Sequence, residues 1–369
     1  DLRKAFDTVD HQILLDKLNF YGIRGICYNW FLSYLSNRQQ YVSLDGYSST
    51  IRDIKCGVPQ GSTLGPLLFL LYINDLHKVF DKALMIHFAD DTKLSFANKK
   101  LSTIENVMNY ELKKLVSWLN CNKLSLNSDK TKLIIFRSQN KKLPYEITIK
   151  FNKLKLKRSK NVYYLGLTID EFLSWNSHIN NLCKKLAQSN GIICKLRHLI
   201  PKTSLLQVYY SILYSHITYG CLVWQFTSKS NIDKVFIFQK KCLRIICFSN
   251  FLEHSNSLFV NLQLLKVKDL FECEVIKFFY NYMNKTLPDS LINKFILVQD
   301  FHQRNTRNNK LIYIPKTRTS RFGTNSLRSH GASIWNSFFI KTNMENINSF
   351  AILKNFLKKK YLESYSLLN

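Results

Sequence analysis

No apolar run in this chain of 369 residues is long enough to cross a bilayer. The most apolar stretch, Leu64 to Leu76, is interrupted by Pro66, Asn74 and Asp75, whereas a spanning helix needs about 20 apolar residues. The opening Asp1-Leu2-Arg3-Lys4 is charged and core-like, unlike a secretory leader. The nine cysteines are odd in number and scattered, and no two form a Cys-x-x-Cys pair. Cys242 and Cys247 lie closest, and no histidine pair completes a zinc spacing. These absences predict reduced core thiols in an intracellular protein. Tandem repeats and low-complexity linkers are also missing.

Acidic residues are scarce. Only 25 Asp and Glu stand against 53 Lys and Arg, a net charge of +28. A surplus of that size repels itself in a compact state, and its natural partner is a polyanion. Nucleic acid and an anionic membrane both qualify; with no spanning run, the expectation turns to nucleic acid. Hydrophobic residues make up 46% of the chain, enough for substantial cores and against global disorder. The length exceeds what one core usually organises, so two or three subdomains are expected.

Along the chain, Leu2 to Phe6 reads as a strand. Ile13, Leu14, Leu18 and Tyr21 then mark a helix that stops at Gly22, and a second helix runs from Ile26 to Leu35. Asp45-Gly46 signals a hairpin turn between Gln40 to Leu44 and Thr50 to Lys55. A glycine-rich loop leads to a helix opened by Pro66, whose missing N–H costs nothing there. Leu84 to Phe88 and Lys93 to Phe96 form a hairpin around Asp90-Asp91, Ser102 to Leu119 a helix, and Leu133 to Phe136 a strand. This interleaving to about Asp170 predicts an α+β domain, an antiparallel sheet with helices on one face. From Trp175 to Ile246 the pattern is helical, with Lys184, Lys185, Lys195, Arg197, Lys240, Lys241 and Arg244 on polar faces. The remainder mixes helical runs with an irregular basic segment from Gln303 to Arg328.

Three elements carry chemistry. Asp90 and Asp91 sit at the tip of a hairpin with apolar arms, and adjacent carboxylates held together usually share a cation. On the dipeptide alone a solvated turn is the commoner outcome. Asp1 is a further carboxylate at the edge of an apolar stretch. Gly57-Val58-Pro59-Gln60-Gly61-Ser62-Thr63-Leu64-Gly65-Pro66 is a shaped loop, in which Gly61 admits a ligand to the backbone beside a helix start. The plainer reading is a loop-to-helix junction capped by Ser62 or Thr63.

The order of Asp1-x-x-x-Ala5-Phe6, Gly57-Val-Pro-Gln60-Gly61-Ser-x-Leu-Gly65-Pro66 and Phe88-Ala89-Asp90-Asp91 resembles the reverse transcriptases of non-LTR (LINE-type) retrotransposons, in particular the jockey-like branch. Leu124-Ser125-Leu126-Asn127 with Lys130-Thr131 is similar to the family's fourth palm motif, and Tyr164-Leu165-Gly166-Leu167-Thr168-Ile169-Asp170 to its primer grip. Leu173-Ser174-Trp175-x-x-His178-Ile179 and Gly331-x-x-Ile334-Trp335-Asn336 also look like recurrent stretches of these elements. Five motifs in family order are far more specific than any one of them.

The resemblance implies a polymerase palm over residues 1–172, a helical thumb over 173–250 and a basic, mainly helical C-terminal region of unassigned role over 251–369. It implies RNA-directed DNA synthesis by two-metal nucleotidyl transfer onto a primer 3′ hydroxyl, with RNA template, DNA primer, RNA–DNA hybrid and deoxynucleoside triphosphates as partners. Asp1 and Asp90 would be the principal ligands of two Mg²⁺ ions, with Mn²⁺ a substitute, Asp91 beside them and the Leu2 carbonyl as a further ligand. Phe6 matches the bulky residue beneath the incoming sugar, where a flat ring excludes a 2′ hydroxyl; as a pattern it reads equally as a core aromatic. Gln60 and Gly61 match the nucleotide and template pocket, Lys130 the candidate general acid for pyrophosphate, and Leu165 and Gly166 the primer grip. Cytoplasm and nucleus are the implied locations, as for an element ribonucleoprotein.

The sequence departs from the family at its start. The fingers motifs that precede this aspartate in family members, and the endonuclease domain often found upstream, are not in it. The expectation is a fragment or a decayed copy, inactive by itself in polymerisation. The alternative is a catalytically dead module that binds RNA or RNA–DNA duplex.

Overall fold

The computed structural model describes residues 2–151, 154–250, 252–301, 310–342, 347 and 349–366. The chain divides into two units, Asp1–Ile135 with Asn140–Ser159, and Phe136–Gln139 with Lys160–Asn369.

The first unit is α+β. Helix α1 (His11–Phe20) starts where the Asp10 carboxylate accepts the Ile13 N–H at 3.0 Å, and it buries Leu14, Leu15 and Leu18. In α2 (Gly25–Leu35) only Leu35 is buried, while Trp30 stacks on Tyr34. Strands β1 (Gln39–Gln40) and β4 (Arg52–Asp53) pair around an inner ladder, β2 (Ser43–Leu44) with β3 (Tyr47–Ser48). Asp45 and Gly46 both have positive φ, 49° and 84°, the signature of a type I′ turn. Helix α3 (Leu64–Ile73) is followed by hairpin β5 (Leu84–Phe88) and β6 (Asp91–Ser95), helix α4 (Leu101–Cys121), and the short ladder β7 (Lys150–Phe151) with β8 (Leu154–Lys155).

Leu14, Leu18, Leu68, Phe69 and Tyr72 are fully buried at the centre of this unit's core. A cation fastens its helices together. Lys17 Nζ donates to the Tyr72 carbonyl at 2.5 Å and to Asp75 Oδ1 at 2.7 Å, and lies 4.9 and 5.1 Å from the Tyr72 and Trp118 ring centres.

Two expected strands do not form. Leu2 makes one bridge, to Leu126, and residues 3–8 turn instead, with the Asp7 and Thr8 N–H groups both donating to the Lys4 carbonyl. The reason is burial spacing: Leu2, Ala5 and Val9 point inward, three and four residues apart, where a strand needs alternation. Leu133 is likewise a single bridge, to Arg158, clamped by bonds to the Lys157 carbonyl and from the Ser159 N–H. The antiparallel sense is as expected, but among the described residues the strands form five separate two-stranded ladders and no single sheet.

The second unit opens with hairpin β9 (Asn161–Tyr164) and β10 (Leu167–Asp170). Buried Asp170 ends it by accepting the Phe172, Ser174 and Trp175 N–H groups at 3.0, 3.0 and 2.8 Å, which launches α5 (Asn176–Leu196). A helical run follows: α6 (Lys202–Val208), a π-helical stretch Tyr209–Tyr214, and α7 (Ser215–Thr218). Then come α8 (Cys221–Trp224), α9 (Lys229–Cys247), α10 (Ser255–Asn261), α11 (Val267–Met283), α12 (Asp289–Ile292), α13 (Val298–Phe301), α14 (Ala332–Lys341) and α15 (Phe350–Ser366). Helices α5 and α9 pack together, and Leu258 and Phe259 of α10 and Leu362 and Tyr365 of α15 join their core. A second core in this unit gathers Phe279, Trp335, Leu353 and Leu357.

Lys184, Lys185, Lys195 and Lys241 are exposed, while Arg197, Lys240 and Arg244 are half-buried. Of the expected irregular basic segment, residues 303–309 lie outside the described residues. All nine cysteines are free thiols. Among the described residues no helix is long and apolar enough to cross a membrane.

Candidate functional site

Asp90 and Asp91 stand where hairpin β5–β6 reverses. Phe88 pairs with Asp91, leaving Ala89 and Asp90 as the two-residue loop. Ala89 has φ of 51°, the left-handed region that an alanine adopts at a cost, and such strain concentrates at functional turns. Both carboxylates are half-buried, and among the described residues neither is hydrogen-bonded or paired with a cation. Beneath them the cross-strand pair His87 and Thr92 leaves Nδ1 and Oγ1 buried with no partner among the described residues. Two adjacent carboxylates with unmet charge form an oxygen-only donor set, which fits a hard divalent cation. Asp1 lies outside the described residues, and those described contain no cluster of three metal-ligating side chains. Leu2 is buried and fixed by its bridge to Leu126 and by the bond from Arg3 N–H to the Ser125 carbonyl at 2.8 Å.

The Gly57–Pro66 loop is laced to the turn that carries Phe6. The Gly57 N–H donates to the Val9 carbonyl at 2.7 Å and the Val58 N–H to the Phe6 carbonyl at 2.8 Å. His11 Nε2 donates to the Gly57 carbonyl at 2.7 Å, and Gln60 Nε2 to Asp7 Oδ1 at 2.7 Å. The half-buried Phe6 ring rests on Phe69, with centroids 4.7 Å apart. The turn that carries Phe6 and the loop that carries Gln60 and Gly61 are therefore held against each other. Ser62 Oγ accepts the Gly65 N–H at 2.9 Å and donates to the Pro59 carbonyl, whereas Thr63, the N-cap of α3, makes no side-chain capping bond.

Glycine does two different jobs in this loop. A Cβ at Gly57 would fall 2.9 Å from the Asp7 carbonyl oxygen, and one at Gly65 would fall 2.5 Å from that of Pro59. At Gly61, φ +77°, a Cβ would meet nothing within 4 Å. Gly57 and Gly65 allow the chain to close on itself, whereas the backbone at Gly61 is uncrowded.

Lys130 is exposed on a turn built by Asn127, whose carbonyl accepts the Thr131 N–H at 2.9 Å and whose side chain accepts the Lys130 N–H at 3.4 Å. Leu165 and Gly166 belong to the second unit and form the β9–β10 turn, with φ of 44° and 80°. The sequence reading missed Asp7, His11 and Tyr219, which hold these loops. Their contacts are long-range and two of the three go to backbone carbonyls, so no local pattern marks them.

The later motifs turn out to be framework. His178 Nδ1 accepts the Thr168 N–H at 3.4 Å, and its ring lies against Trp224. Burial first, and Lys185 second, push its pKa down from an ordinary 6.5 to about 4. Asn336 clamps Ile312 through both backbone groups, at 2.9 and 2.8 Å.

Residues 1–169 match the family described as reverse transcriptase (RNA-dependent DNA polymerase). This part of the chain is a reverse transcriptase domain, a family that works with divalent metals. Among curated proteins, the chain is 29% identical over 257 residues to the RNA-directed DNA polymerase from mobile element jockey of Drosophila melanogaster, covering 67% of this chain and 28% of the relative. It is 24% identical to the probable RNA-directed DNA polymerase from transposon X-element of the same fly, over 73% of this chain and 30% of that protein. A jockey polymerase from Drosophila funebris is 23% identical over 80% of this chain and 32% of its own length. The domain is of the non-LTR retrotransposon kind, and the chain spans about a third or less of the length of these relatives.

Proposed function

We propose that this chain belongs to the machinery of RNA-templated DNA synthesis, with residues 1–172 as palm and residues 173–250 as thumb. The observation that carries the reading is the pair Asp90 and Asp91, held half-buried without a counter-charge among the described residues on a strained Ala89 turn, inside the matched region. In the reaction the primer 3′ hydroxyl oxygen bonds to the α-phosphorus of the incoming deoxynucleoside triphosphate. The α–β bridging P–O bond breaks, pyrophosphate leaves and the hydroxyl proton passes to solvent. Two Mg²⁺ ions, or Mn²⁺ in their place, would supply charge neutralisation on both sides of this in-line displacement. Asp1, Asp90, Asp91 and the Leu2 carbonyl would hold them.

The chain's other residues orient and select. Phe6, backed by Phe69, presents a ring face that rejects a 2′ hydroxyl. Gln60, tied to Asp7, and the open Gly61 line the nucleotide and template pocket. Lys130 would protonate the departing pyrophosphate, and Leu165–Gly166 would hold the primer end. RNA template, DNA primer and their hybrid are the partners, and an element ribonucleoprotein in cytoplasm and nucleus is the setting.

The test is dTTP incorporation on poly(rA)–oligo(dT) by the wild type, Asp90→Asn and Asp91→Asn. Each substitution should lower extension by about 100-fold or more, because it removes charge aimed at the transition state, and should leave hybrid binding nearly unchanged. Full extension by either variant removes that carboxylate from the mechanism. Tight hybrid binding by a wild type that never extends a primer favours a binding module instead.

A further inference from the structure

The β9–β10 turn is met by the step between α7 and α8 through two reciprocal contacts. In one direction the Tyr219 ring occupies the space over Gly166. A Cβ there would fall 2.7 Å from the ring's Cε1 and 3.2 Å from Cζ. In the other direction Gly220, φ +60°, receives Leu167, whose Cδ2 and Cδ1 lie 3.1 and 3.2 Å from where a Cβ would stand. Each glycine is the socket for the residue beside the other. A hydrogen bond completes the joint, with Tyr219 Oη donating to the Leu165 carbonyl at 2.9 Å.

Tyr219 itself is anchored from behind. Its N–H donates to the Ser215 carbonyl at 3.0 Å, and its own carbonyl accepts from the fully buried Trp224 indole at 3.0 Å. The residue is nonetheless 57% exposed. An exposed hydrogen bond adds little to fold stability, so this joint is poorly explained as a staple for the core. The turn, however, needs outside support. Its first residue is leucine in the left-handed region, where a two-residue turn of this type favours asparagine, aspartate or glycine. Holding the Leu165 carbonyl fixes the plane of the planar peptide joining Leu165 to Gly166, and with it the surface that the turn presents.

We propose that Tyr219 is a positioning residue: it sets the orientation of the Leu165–Gly166 turn and thereby the placement of a DNA primer's 3′ end. The proposal rests on the reading of that turn as a primer contact. Tyr219 touches no reacting atom; its effect passes through the Leu165 carbonyl and the face of Gly166.

The test uses the full chain bound to an RNA–DNA hybrid carrying 2-aminopurine either at the primer 3′ terminus or deep in the duplex. Hybrid affinity is measured by anisotropy for the wild type, Tyr219→Phe and Tyr219→Ala. Many phosphate contacts dominate affinity, so both variants should bind within about twofold of the wild type. The terminal probe's change on binding should be reduced in Tyr219→Phe and lost in Tyr219→Ala, with the internal probe unmoved. A full terminal signal in Tyr219→Ala overturns the proposal. So does parallel loss of both probes with affinity and unfolding midpoint, which is the mark of a merely structural residue. A wild type whose terminal probe never responds refutes the primer-contact reading itself, a failure distinct from the first two.

Discussion

Gly57→Ala and Gly61→Ala make a matched pair, two glycines four residues apart in one loop, both with positive φ, differing in what surrounds them. At Gly57, φ +90°, a methyl group would sit 2.9 Å from the Asp7 oxygen and 3.0 Å from its Cα, both backbone atoms that cannot swing aside. The chain must move, and movement stretches the 2.7 Å bond to Val9 and the 2.8 Å bond between Val58 and Phe6. Left-handed strain costs roughly 1–2 kcal/mol, and weakening two backbone bonds adds about 1 kcal/mol each at most. The expected loss at Gly57 is about 2–4 kcal/mol, while at Gly61 only the strain remains. The difference of about 2 kcal/mol is roughly a 30-fold change in an opening equilibrium. Native-state hydrogen exchange on peptides spanning residues 6–9 and 57–58 reads it directly. Gly57→Ala should exchange faster there and unfold at lower urea than Gly61→Ala, which should fall below the wild type only by the strain, roughly 1–2 kcal/mol. Equal stability of the two variants would refute the packing argument. In extension assays Gly61→Ala should instead raise the KM for nucleotide, because its methyl group points into the opening.

Three further outcomes are expected. Hybrid binding should weaken steeply with salt, with a log–log slope of about −4 or steeper given the net charge of +28; a slope flatter than about −1 contradicts a phosphate grip. His178 is buried, with a folded pKa of about 4 against an ordinary 6.5. The unfolded chain therefore takes up the proton first, and stability present above pH 6.5 is lost as pH falls toward 4, by about 2–3 kcal/mol. His178→Gln should flatten that dependence of the unfolding midpoint, and an unchanged slope would show that other groups carry it. Asn336→Ala strands both backbone groups of buried Ile312 and should cost about 2–4 kcal/mol in urea denaturation; a loss below about 0.5 kcal/mol means that water replaces the clamp.

Helices were legible from the sequence where apolar spacing and a stop coincide. Ile13, Leu14 and Leu18 before Gly22 gave the first helix nearly to its ends, and Asp45-Gly46 gave its hairpin turn. Residues 2–6 and 133–136 misled for one reason. Short apolar runs do not declare a period, and tertiary contacts converted both into single bridges. For the site, Phe6, Gln60 and Gly61 were legible as motif residues, and their assembly depends on partners the motifs do not contain. Asp7 is exposed and unremarkable until Gln60 is seen to donate to it. Tyr219 is one of 19 tyrosines, and only its distance from Gly166 distinguishes it.

The same distinction decides what a motif glycine means. Three glycines punctuate the stretch from Gly57 to Gly65, and a motif treats them alike. Two are filled, by the Asp7 and Pro59 carbonyl oxygens, and work as joints that close the loop on itself. One is empty, and it is flanked by Gln60, whose side chain is already committed to Asp7. A loop held shut at both ends and open in the middle presents one stretch of bare backbone, and at Gly61 that stretch has no side chain to bar a flat base or sugar. In the second unit Gly166 follows the opposite logic, since its socket is taken by the Tyr219 ring. The substitutions should therefore separate: alanine at Gly57, Gly65 or Gly166 disturbs the chain, and alanine at Gly61 disturbs what the chain binds.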